Sequence, residues 1–259
     1  MTADALPAQL RTAIGQLART PRLLVASDYD GTLSPIVAKP EDARPLPAAV
    51  DALRSLAGLD KTTTAVISGR ALRDLAALSG LPAEVHLVGS HGSEFDAGFV
   101  HELDEAAKDL HRRLETELTR IVGDSAGVQL EIKPASIAVH TRRAGPDVAR
   151  RVSGQVRAGP CAWDGVEVTE GKAVIELAVV RTDKGQALDI LRRQVDATAA
   201  AFLGDDVTDE KAFARLTGPD LGVKVGDGET LAGHRIPDTD SVATVLALLL
   251  TERRAWLAG

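Results

Sequence analysis

The chain has 259 residues, of which 44% are hydrophobic and 26% charged, and its formal net charge is −7. This balance is typical of one or two globular domains and excludes a largely disordered chain. The single cysteine cannot form an internal disulfide and the first residues do not resemble a signal peptide, so a cytoplasmic location is expected. No apolar run matches a bilayer span and the net charge is acidic, so neither a membrane nor a nucleic acid is expected as a partner.

Short apolar runs alternate with helical patterns over the first hundred residues. The hydrophobic spacing predicts helices over residues 4–19 (with Asp4 as the N-cap), 47–57 and 71–78, and strands over 23–26, 62–67 and 85–88. Strands that alternate with helices are typical of an α/β fold with a parallel sheet.

The pattern then changes to a helix followed by strands with alternating polarity. A long helix begins near Leu103, and it is followed by strands at 128–132 and 137–141, a helix at 146–157, and strands at 165–169 and 173–180. From Lys184 the first pattern resumes, with a helix at 184–195, a strand at 199–203, a helix at 207–216, a strand at 221–225 and a helix at 239–251. We therefore predict a core domain of residues 1–103 and 184–259, interrupted by an α+β domain of residues 104–183.

The strongest chemical signal is the segment Asp28-Tyr-Asp-Gly-Thr32, directly after the first predicted strand. Ligands of open α/β sheets bind beyond the carboxyl ends of the strands, so its two aspartates can converge on one point. This pair suits one carboxylate as nucleophile and Mg²⁺ ligand and the other as general acid/base. Taken alone, the segment is equally typical of a plain turn. A calcium loop is disfavoured, because the acidic pattern stops at Leu33.

Three further polar segments lie at predicted strand ends or helix starts. The acids of Gly204–Glu210 can complete a cation site with Asp28, or can simply begin a helix. Ser68-Gly69-Arg70 offers a hydroxyl and backbone N–H groups that can hold a phosphate, although a Ser-Gly turn also explains it. Lys184 opens a predicted core helix, where a lone lysine is more often merely solvated.

Together these four segments stand in the order typical of the haloacid dehalogenase superfamily of aspartyl phosphatases, which the chain resembles from Leu23 to Val225. The resemblance implies a Rossmann-like parallel-sheet core with an inserted α+β cap. It assigns catalytic roles to Asp28 as the nucleophile, Asp30 as the general acid/base, Ser68 as a phosphate ligand and Lys184 as the lysine of the third motif. It also implies a Mg²⁺ site formed by Asp28, Asp30 (through its backbone carbonyl), Asp205 and Asp209.

A narrower resemblance, to trehalose-6-phosphate phosphatases, rests on four stretches of sequence. They are Asp28–Ile36, Ile67–Arg70, Gly89–Gly92 and Gly204–Glu210. The substrate-binding residues that it implies are Arg70, Ser90, His91 and Gly92 in the core, and Glu131, Lys133, Arg142, Lys172 and Glu176 in the cap. A solvated sheet face with incidental ion pairs is the alternative for the cap residues. His91 and His140 can be sugar ligands or ordinary structural histidines.

This resemblance implies a Mg²⁺-dependent phosphatase of trehalose biosynthesis that hydrolyses trehalose 6-phosphate through an aspartyl-phosphate intermediate. The expected partner is the phosphorylated disaccharide, and the protein is expected to be a monomer. The same chemistry on another sugar phosphate, such as sucrose 6-phosphate, is the nearest alternative. A catalytically silent module that binds sugar phosphates is a second alternative, against which the intact Asp28 and Asp30 argue.

Overall fold

The structure is a computed structural model that describes residues 5–96, 103–171, 173–180 and 182–259. It divides into two compact units, which we call the first unit (Met1–Val100 with Thr182–Gly259) and the second unit (His101–Arg181). Each unit packs its own buried apolar side chains. Among the described residues, no helix is both long and apolar enough to cross a membrane.

The helices and strands follow one another in an alternating order. The chain begins with α1 (Ala8–Leu17), β1 (Leu23–Ser27), α2 (Pro47–Ala57), β2 (Thr62–Ile67), α3 (Leu72–Ser79), β3 (Val85–Gly89) and β4 (Glu94–Phe95). The second unit then contributes α4 (Glu105–Val122), β5 (Gln129–Ile132), β6 (Ser136–His140), α5 (Pro146–Ala158), β7 (Glu167–Gly171) and β8 (Val174–Ala178). The chain ends with α6 (Lys184–Gln194), β9 (Ala199–Gly204), α7 (Glu210–Phe213), β10 (Leu221–Val225), β11 (His234–Ile236) and α8 (Thr239–Ala258).

The first unit is built on a seven-stranded sheet in the order β11-β10-β9-β1-β2-β3-β4. All pairs are parallel except β3 with β4. The predicted α/β class with a mostly parallel sheet is therefore confirmed. Because β1 lies in the middle of this sheet, the residues that follow it reach the centre of the carboxyl edge.

Alternate residues of β1 face opposite sides of the sheet, and helices cover both sides. Leu23 and Val25 belong to one apolar cluster, which includes side chains of α1, α2 and α8. Leu24 and Ala26 belong to a second cluster, with side chains of α6 and α7. Burial on both faces explains why β1 is entirely apolar up to Ser27.

The second unit is built on a four-stranded antiparallel sheet in the order β5-β6-β8-β7. Its apolar cluster combines side chains of α4 and α5, such as Leu118 and Val152, with Ile137 of β6 and Leu177 of β8. One face of this sheet is thus covered by helices, as is usual for antiparallel sheets.

Two helices are shorter than the sequence indicates. The helix expected over 4–19 is Ala8–Leu17, because Pro7 has an extended backbone at its start; Asp4 lies outside the described residues. The helix expected over 207–216 is reduced to Glu210–Phe213. Its first residues form a loop instead, because the Asp209 carboxylate accepts the backbone N–H groups of Asp205 and Asp206. The short strands β4 and β11 were not predicted, since two or three residues show no periodicity.

Candidate active site

The candidate site lies at the carboxyl edge of the first unit's sheet, where β1 and β9 run side by side. Ser27 at the end of β1 is in register with Leu203 of β9. Asp28 follows directly, and its backbone N–H donates to the Leu203 carbonyl at 2.8 Å. Asp205 follows β9 in the same way. Parallel pairing of the two strands therefore brings the two aspartates together.

Three carboxylates meet one buried ammonium at this edge. Asp28, Asp205 and Asp209 each offer an oxygen atom, and these atoms lie within 4.8 Å of one another. Lys184, at the start of α6, places Nζ 2.8 Å from Asp28 Oδ1 and 2.7 Å from Asp209 Oδ1. Lys184 and Asp209 are almost completely buried. Burial of a lysine requires such partners, so the ammonium is bound to this cluster rather than solvated.

The excess of carboxylates changes the acid–base properties of the cluster. Burial raises the pKa of Asp28 to about 8, an effect that Lys184 opposes and that Asp209 adds to. Burial likewise raises the pKa of Asp205, and the charge of Asp209 adds to it. Burial disfavours the charged form of Lys184, but the neighbouring Asp28 and Asp209 raise the pKa of its ammonium overall. The site therefore has more negative charge than Lys184 alone can balance.

A small divalent cation fits this arrangement. The clustered donors are carboxylate oxygens, the ligands that Mg²⁺ prefers in proteins. Oxygen atoms of Asp28 and Asp205 lie within 4.8 Å of each other, and two ionised carboxylates this close repel unless a proton or a cation lies between them. A cation there would favour the ionised form of Asp28.

Asp30 is not one of the three clustered carboxylates and pairs with Arg70 instead. The guanidinium of Arg70 donates through two nitrogens to the two oxygens of Asp30, both at 2.6 Å. The hydrogen bonds to Asp30 raise the pKa of Arg70 further, against the effect of burial. The guanidinium carbon also lies 5.6 Å from the ring centre of Tyr29. The Asp30 side chain remains one-third exposed, so it can be reached from the cleft.

The ends of β2 and β3 add a loop with unusual backbone geometry. Ser90 and His91 both have left-handed backbones, with φ of 48° and 55°, and Gly92 has φ of 111°. The Ser90 backbone N–H donates to the Arg70 carbonyl at 2.7 Å, and the His91 N–H donates to the Ser68 carbonyl at 2.9 Å. These bonds tie the Ser90–Gly92 turn to the Ser68–Arg70 turn.

The glycine between Ser68 and Arg70 leaves room for the imidazole of His91. A Cβ atom on Gly69 would lie 2.6 Å from the His91 ring. The hydroxyl of Ser90 donates to the Glu94 carboxylate, which also accepts the Leu72 N–H at 3.4 Å. The Ser90–Gly92 turn is thus held by Glu94 as well as by the Ser68–Arg70 turn, and His91 lines the cleft.

A cleft of about 650 Å³ connects these groups within the first unit. Its lining residues are Asp28, Asp30, Ile36, Val37, Pro40, Ser68, Gly69, Arg70, His91, Lys184, Asp205, Asp206 and Thr208. One wall is therefore acidic, another carries Arg70 and a hydroxyl, and the rim contains two exposed aliphatic side chains. The lining does not include Asp209, Ser90 or Gly92. These residues lie behind it and hold the loops that carry the lining residues.

The second unit holds three of the remaining predicted residues, Glu131, Lys133 and Glu176, in two polar pairs. His140 Nε2 lies 2.9 Å from Glu131 Oε2. Lys133 Nζ donates to Glu176 Oε1 at 3.0 Å, and the Ser136 hydroxyl donates to the same oxygen at 2.7 Å. His140, whose role the sequence leaves open, is thus a partner of Glu131.

Strand register places both glutamates on one face of the antiparallel sheet. Glu131 is opposite Ala138, and Ala138 is opposite Glu176. The side chain between them is small and buried, and Glu131, Ala138 and Glu176 form one row across β5, β6 and β8. Arg142 is exposed beyond the end of β6, and Lys172 lies outside the described residues.

Two contributors to the acidic cluster were missed by sequence reasoning. The hydroxyl of Thr32 donates to Asp205 Oδ1 at 3.2 Å. Lys224 of β10 is buried and donates to the backbone carbonyl of Asp205. The signal for Lys224 was present, since it is a lysine inside the otherwise apolar strand Leu221–Val225.

Comparison with known proteins agrees with this geometry. The family model described as Trehalose-phosphatase matches residues 26–228. The trehalose-phosphate phosphatase of Mycobacterium avium (strain 104) is 38% identical over 256 residues, which is 95% of this chain and 63% of that protein. The trehalose-phosphate phosphatase of Mycobacterium tuberculosis (strain H37Rv) is 39% identical over 220 residues, 81% of this chain and 54% of that protein. The chain thus spans between half and two-thirds of the length of these relatives.

The solved C-terminal domain of Candida albicans trehalose-6-phosphate phosphatase has the same fold. It is 25% identical, superimposes with a TM-score of 0.61, and the match covers 95% of this chain and 98% of that domain. The parallel sheet with aspartates at its central strand ends defines a protein of the haloacid dehalogenase superfamily. Within it, this chain belongs to the trehalose-phosphatase family, as its sequence indicates.

Proposed function

We propose that the protein is a Mg²⁺-dependent phosphatase that converts trehalose 6-phosphate into trehalose and phosphate. The observation that carries this proposal is the buried contact of Asp28 with Lys184, beside Asp205 and Asp209, in a cleft that Asp30 also lines. Family membership supports the substrate, because the relatives are named for this activity. A cytoplasmic location and a monomeric state stay predictions from the sequence.

In the proposed reaction, an oxygen of Asp28 attacks phosphorus and the bond from phosphorus to the sugar oxygen breaks. Asp30 donates a proton to the departing sugar oxygen. Asp30 then accepts a proton from water, whose oxygen attacks the phosphorus of the aspartyl-phosphate, and the bond to Asp28 breaks. Phosphate leaves, and both carboxylates return to their first states.

The neighbouring groups hold the reactants and balance charge. Lys184 keeps Asp28 in position and faces the transferring phosphoryl group together with the Ser68 hydroxyl. The proposed Mg²⁺ would be held by Asp28, Asp205, Asp209 and the backbone carbonyl of Asp30. It would supply positive charge to the transferring phosphoryl group. Arg70 fixes the orientation of Asp30 through two parallel hydrogen bonds.

We further propose that the second unit acts as the cap that recognises the sugar. The row that contains Glu131 and Glu176, with Lys133 beside it, offers carboxylates and an ammonium, which pair well with sugar hydroxyls. Arg142, Lys172 and, in the first unit, Arg70 and His91 complete the proposed substrate contacts. Ser90 and Gly92, which do not line the cleft, would act by holding the turn that carries His91.

Phosphate release from a panel of sugar phosphates tests the proposal. Trehalose 6-phosphate, sucrose 6-phosphate and glucose 6-phosphate are compared with Mg²⁺ and with EDTA, and D28N is the control. We expect Mg²⁺-dependent turnover that is fastest on trehalose 6-phosphate and absent in D28N. Faster turnover of another sugar phosphate overturns the substrate. Absence of turnover on every member of the panel overturns the enzymatic function and favours a binding module.

A further inference from the structure

A buried lysine that the proposed reaction does not use lies directly behind the acidic cluster. Lys224 is in register with Gly204, the last residue of β9, so its side chain leaves β10 next to the segment that carries Asp205. It is only 4% exposed. Burial of an ammonium is costly unless hydrogen bonds and opposite charge compensate it, so its partners indicate what it does.

The partners of Lys224 are both on the loop that carries the proposed cation ligands. Nζ donates to the backbone carbonyl of Asp205 and lies 3.9 Å from Oε1 of Glu210. That Glu210 oxygen is buried and has no hydrogen-bond partner among the described residues, whereas its other carboxylate oxygen accepts the Leu231 N–H at 2.7 Å. The charge of Lys224 therefore compensates a buried carboxylate at one end of the loop, and its N–H groups hold the backbone at the other.

The same loop is fixed from the opposite side by Asp209. Its carboxylate accepts the backbone N–H groups of Asp205 and Asp206 at 2.9 Å each, and it also accepts Lys184. The Asp205 peptide groups are thus held by an acid on one side and by a lysine on the other. The carboxylate of Asp205 is left to point at Asp28 and Thr32.

We propose that Lys224 is a positioning residue for divalent-cation binding, acting through the Asp205 backbone and Glu210. It does not touch the substrate or the cation. It holds the loop in the one arrangement in which the Asp205 carboxylate joins those of Asp28 and Asp209. The inference rests on the cation site of the proposed function, but not on which sugar phosphate is hydrolysed.

Calorimetric titration of the metal-free full chain with Mg²⁺ alone tests this role. K224M keeps the length of the side chain but removes its charge and donors. Loss of a residue that orients a metal ligand typically costs about 10-fold or more in affinity, so we expect K224M to weaken Mg²⁺ binding by about that factor. K224R keeps the charge and the donors, and we expect it to restore much of the affinity.

A matched control separates this role from general stability. Arg192 of α6 pairs with the buried Asp220, whose carboxylate also accepts the Ala200 N–H at the opposite end of β9. R192M therefore removes an ion pair of the same unit far from the proposed ligands. We expect R192M to lower the melting temperature without changing Mg²⁺ affinity.

Phosphatase kinetics supply a second readout. In K224M, the Mg²⁺ concentration for half-maximal rate should rise, whereas KM for the sugar phosphate at saturating Mg²⁺ should stay unchanged. Unchanged Mg²⁺ affinity in a folded K224M overturns the inference, as does an equal loss in R192M or an absence of Mg²⁺ binding by the unchanged protein. If K224M does not fold, K224Q is titrated with the same criteria. If no sugar phosphate is hydrolysed but K224M still weakens Mg²⁺ binding, only the proposed function fails.

Discussion

At the scale of single residues, Asp28 shows how burial and charge compete at this site. Its carboxyl group lies at the end of a wholly apolar strand, and removal from water favours the neutral form. Lys184 opposes this effect from 2.8 Å, but it shares its ammonium with Asp209. The outcome without a cation is a carboxyl with a pKa of about 8, which is poorly ionised at neutral pH. The proposed role of Asp28 as nucleophile requires an ionised carboxylate, and a further positive charge beside it would favour that form.

This balance predicts how pH changes the stability of the metal-free protein. The pKa of Asp28 is higher in the folded state than its usual value of 3.8, so the unfolded state loses its proton first as the pH rises. The melting temperature in EDTA should therefore fall from pH 4 towards pH 8. D28N cannot ionise, so we expect it to lack this part of the pH dependence and to melt higher than the unchanged protein at pH 8.

Differential scanning calorimetry in EDTA measures both proteins across this range. Added Mg²⁺ should raise the melting temperature of the unchanged protein more at pH 8 than at pH 5. At both pH values, the increase in melting temperature should be smaller for D28N. Parallel pH profiles of the two proteins would contradict the raised pKa of Asp28.

At the scale of elements, the site depends on how each strand ends. The chain turns directly after Asp28 and Asp30, and Gly31 makes this turn possible with φ of 81°. A Cβ atom at this glycine would collide with the carboxylate of Asp205, so the close approach of the two loops requires the absence of a side chain. The turn after β1 and the loop after β9 are therefore built against each other.

We expect G31A to disrupt the acidic cluster as well as the local backbone. It should abolish measurable Mg²⁺ binding and lower phosphatase turnover, because Asp205 must move to make room. G80A is the matched control, since Gly80 ends α3 with φ of 58° and a Cβ atom there would meet no neighbouring group within 4 Å. It carries only the strain of the left-handed backbone, about 1 kcal/mol.

Mg²⁺ titration and turnover of G31A and G80A separate the collision with Asp205 from the strain of the left-handed backbone. G80A should lose some stability but keep the Mg²⁺ affinity of the unchanged protein. Normal Mg²⁺ binding by G31A would show that the loops can separate without cost to the cluster.

At the scale of the whole molecule, the first unit is assembled from two distant pieces of chain. Arg253, near the C-terminus, is fully buried and joins them. Its guanidinium donates to the carbonyls of Ala18 at 2.9 Å and Lys61 at 2.7 Å and to the hydroxyl of Thr62 at 3.0 Å. Helix α8 is therefore attached to the N-terminal ends of β1 and β2 by polar contacts as well as by apolar packing.

Replacement of this arginine should destabilise the protein without altering the chemistry of the site. R253M removes the donor to the carbonyl of the buried Ala18, and a buried polar group left without a partner costs about 1–3 kcal/mol. Arg254 is exposed and adjacent, so R254M is the control and should unfold like the unchanged protein. Urea denaturation compares the free energy of unfolding of the unchanged protein, R253M and R254M. At low temperature, where all three are folded, their KM and kcat should not differ. An R253M protein as stable as R254M would contradict the role of Arg253.

The separate apolar clusters of the two units lead to a second prediction at this scale. The cluster of α4, α5 and the antiparallel sheet contains only residues of the second unit, including Leu118 and Ile137. We therefore expect a fragment of residues 101–181 to unfold cooperatively when its circular dichroism is followed on heating. Within the fragment, L118A should cost about 2–5 kcal/mol, because it leaves a cavity in that cluster. A gradual melt, unaffected by L118A, would show that the second unit does not fold alone.

Much of this protein was determined by the sequence alone. Helices and strands followed from the spacing of apolar residues, since burial on one face or on both is a local property of the chain; β2, for example, was predicted with the bounds that it has. The rule that parallel strands present their carboxyl ends at one edge placed Asp28 and Asp205 at the same edge without any structure. The order of the four motifs indicated the superfamily, and the wording of four stretches of sequence indicated the family, which the match to the family model confirms.

Only the tertiary structure decided which side chains touch. The pairing of Asp30 with Arg70, of Lys133 with Glu176, and of Lys224 with the Asp205 carbonyl joins residues that are far apart in the chain. Such contacts depend on strand register and on which groups are buried together, and neither is encoded in local spacing. The raised pKa of Asp28 has the same origin, because it arises from the burial of Asp28 and from the nearby charge of Asp209, which Lys184 offsets only in part.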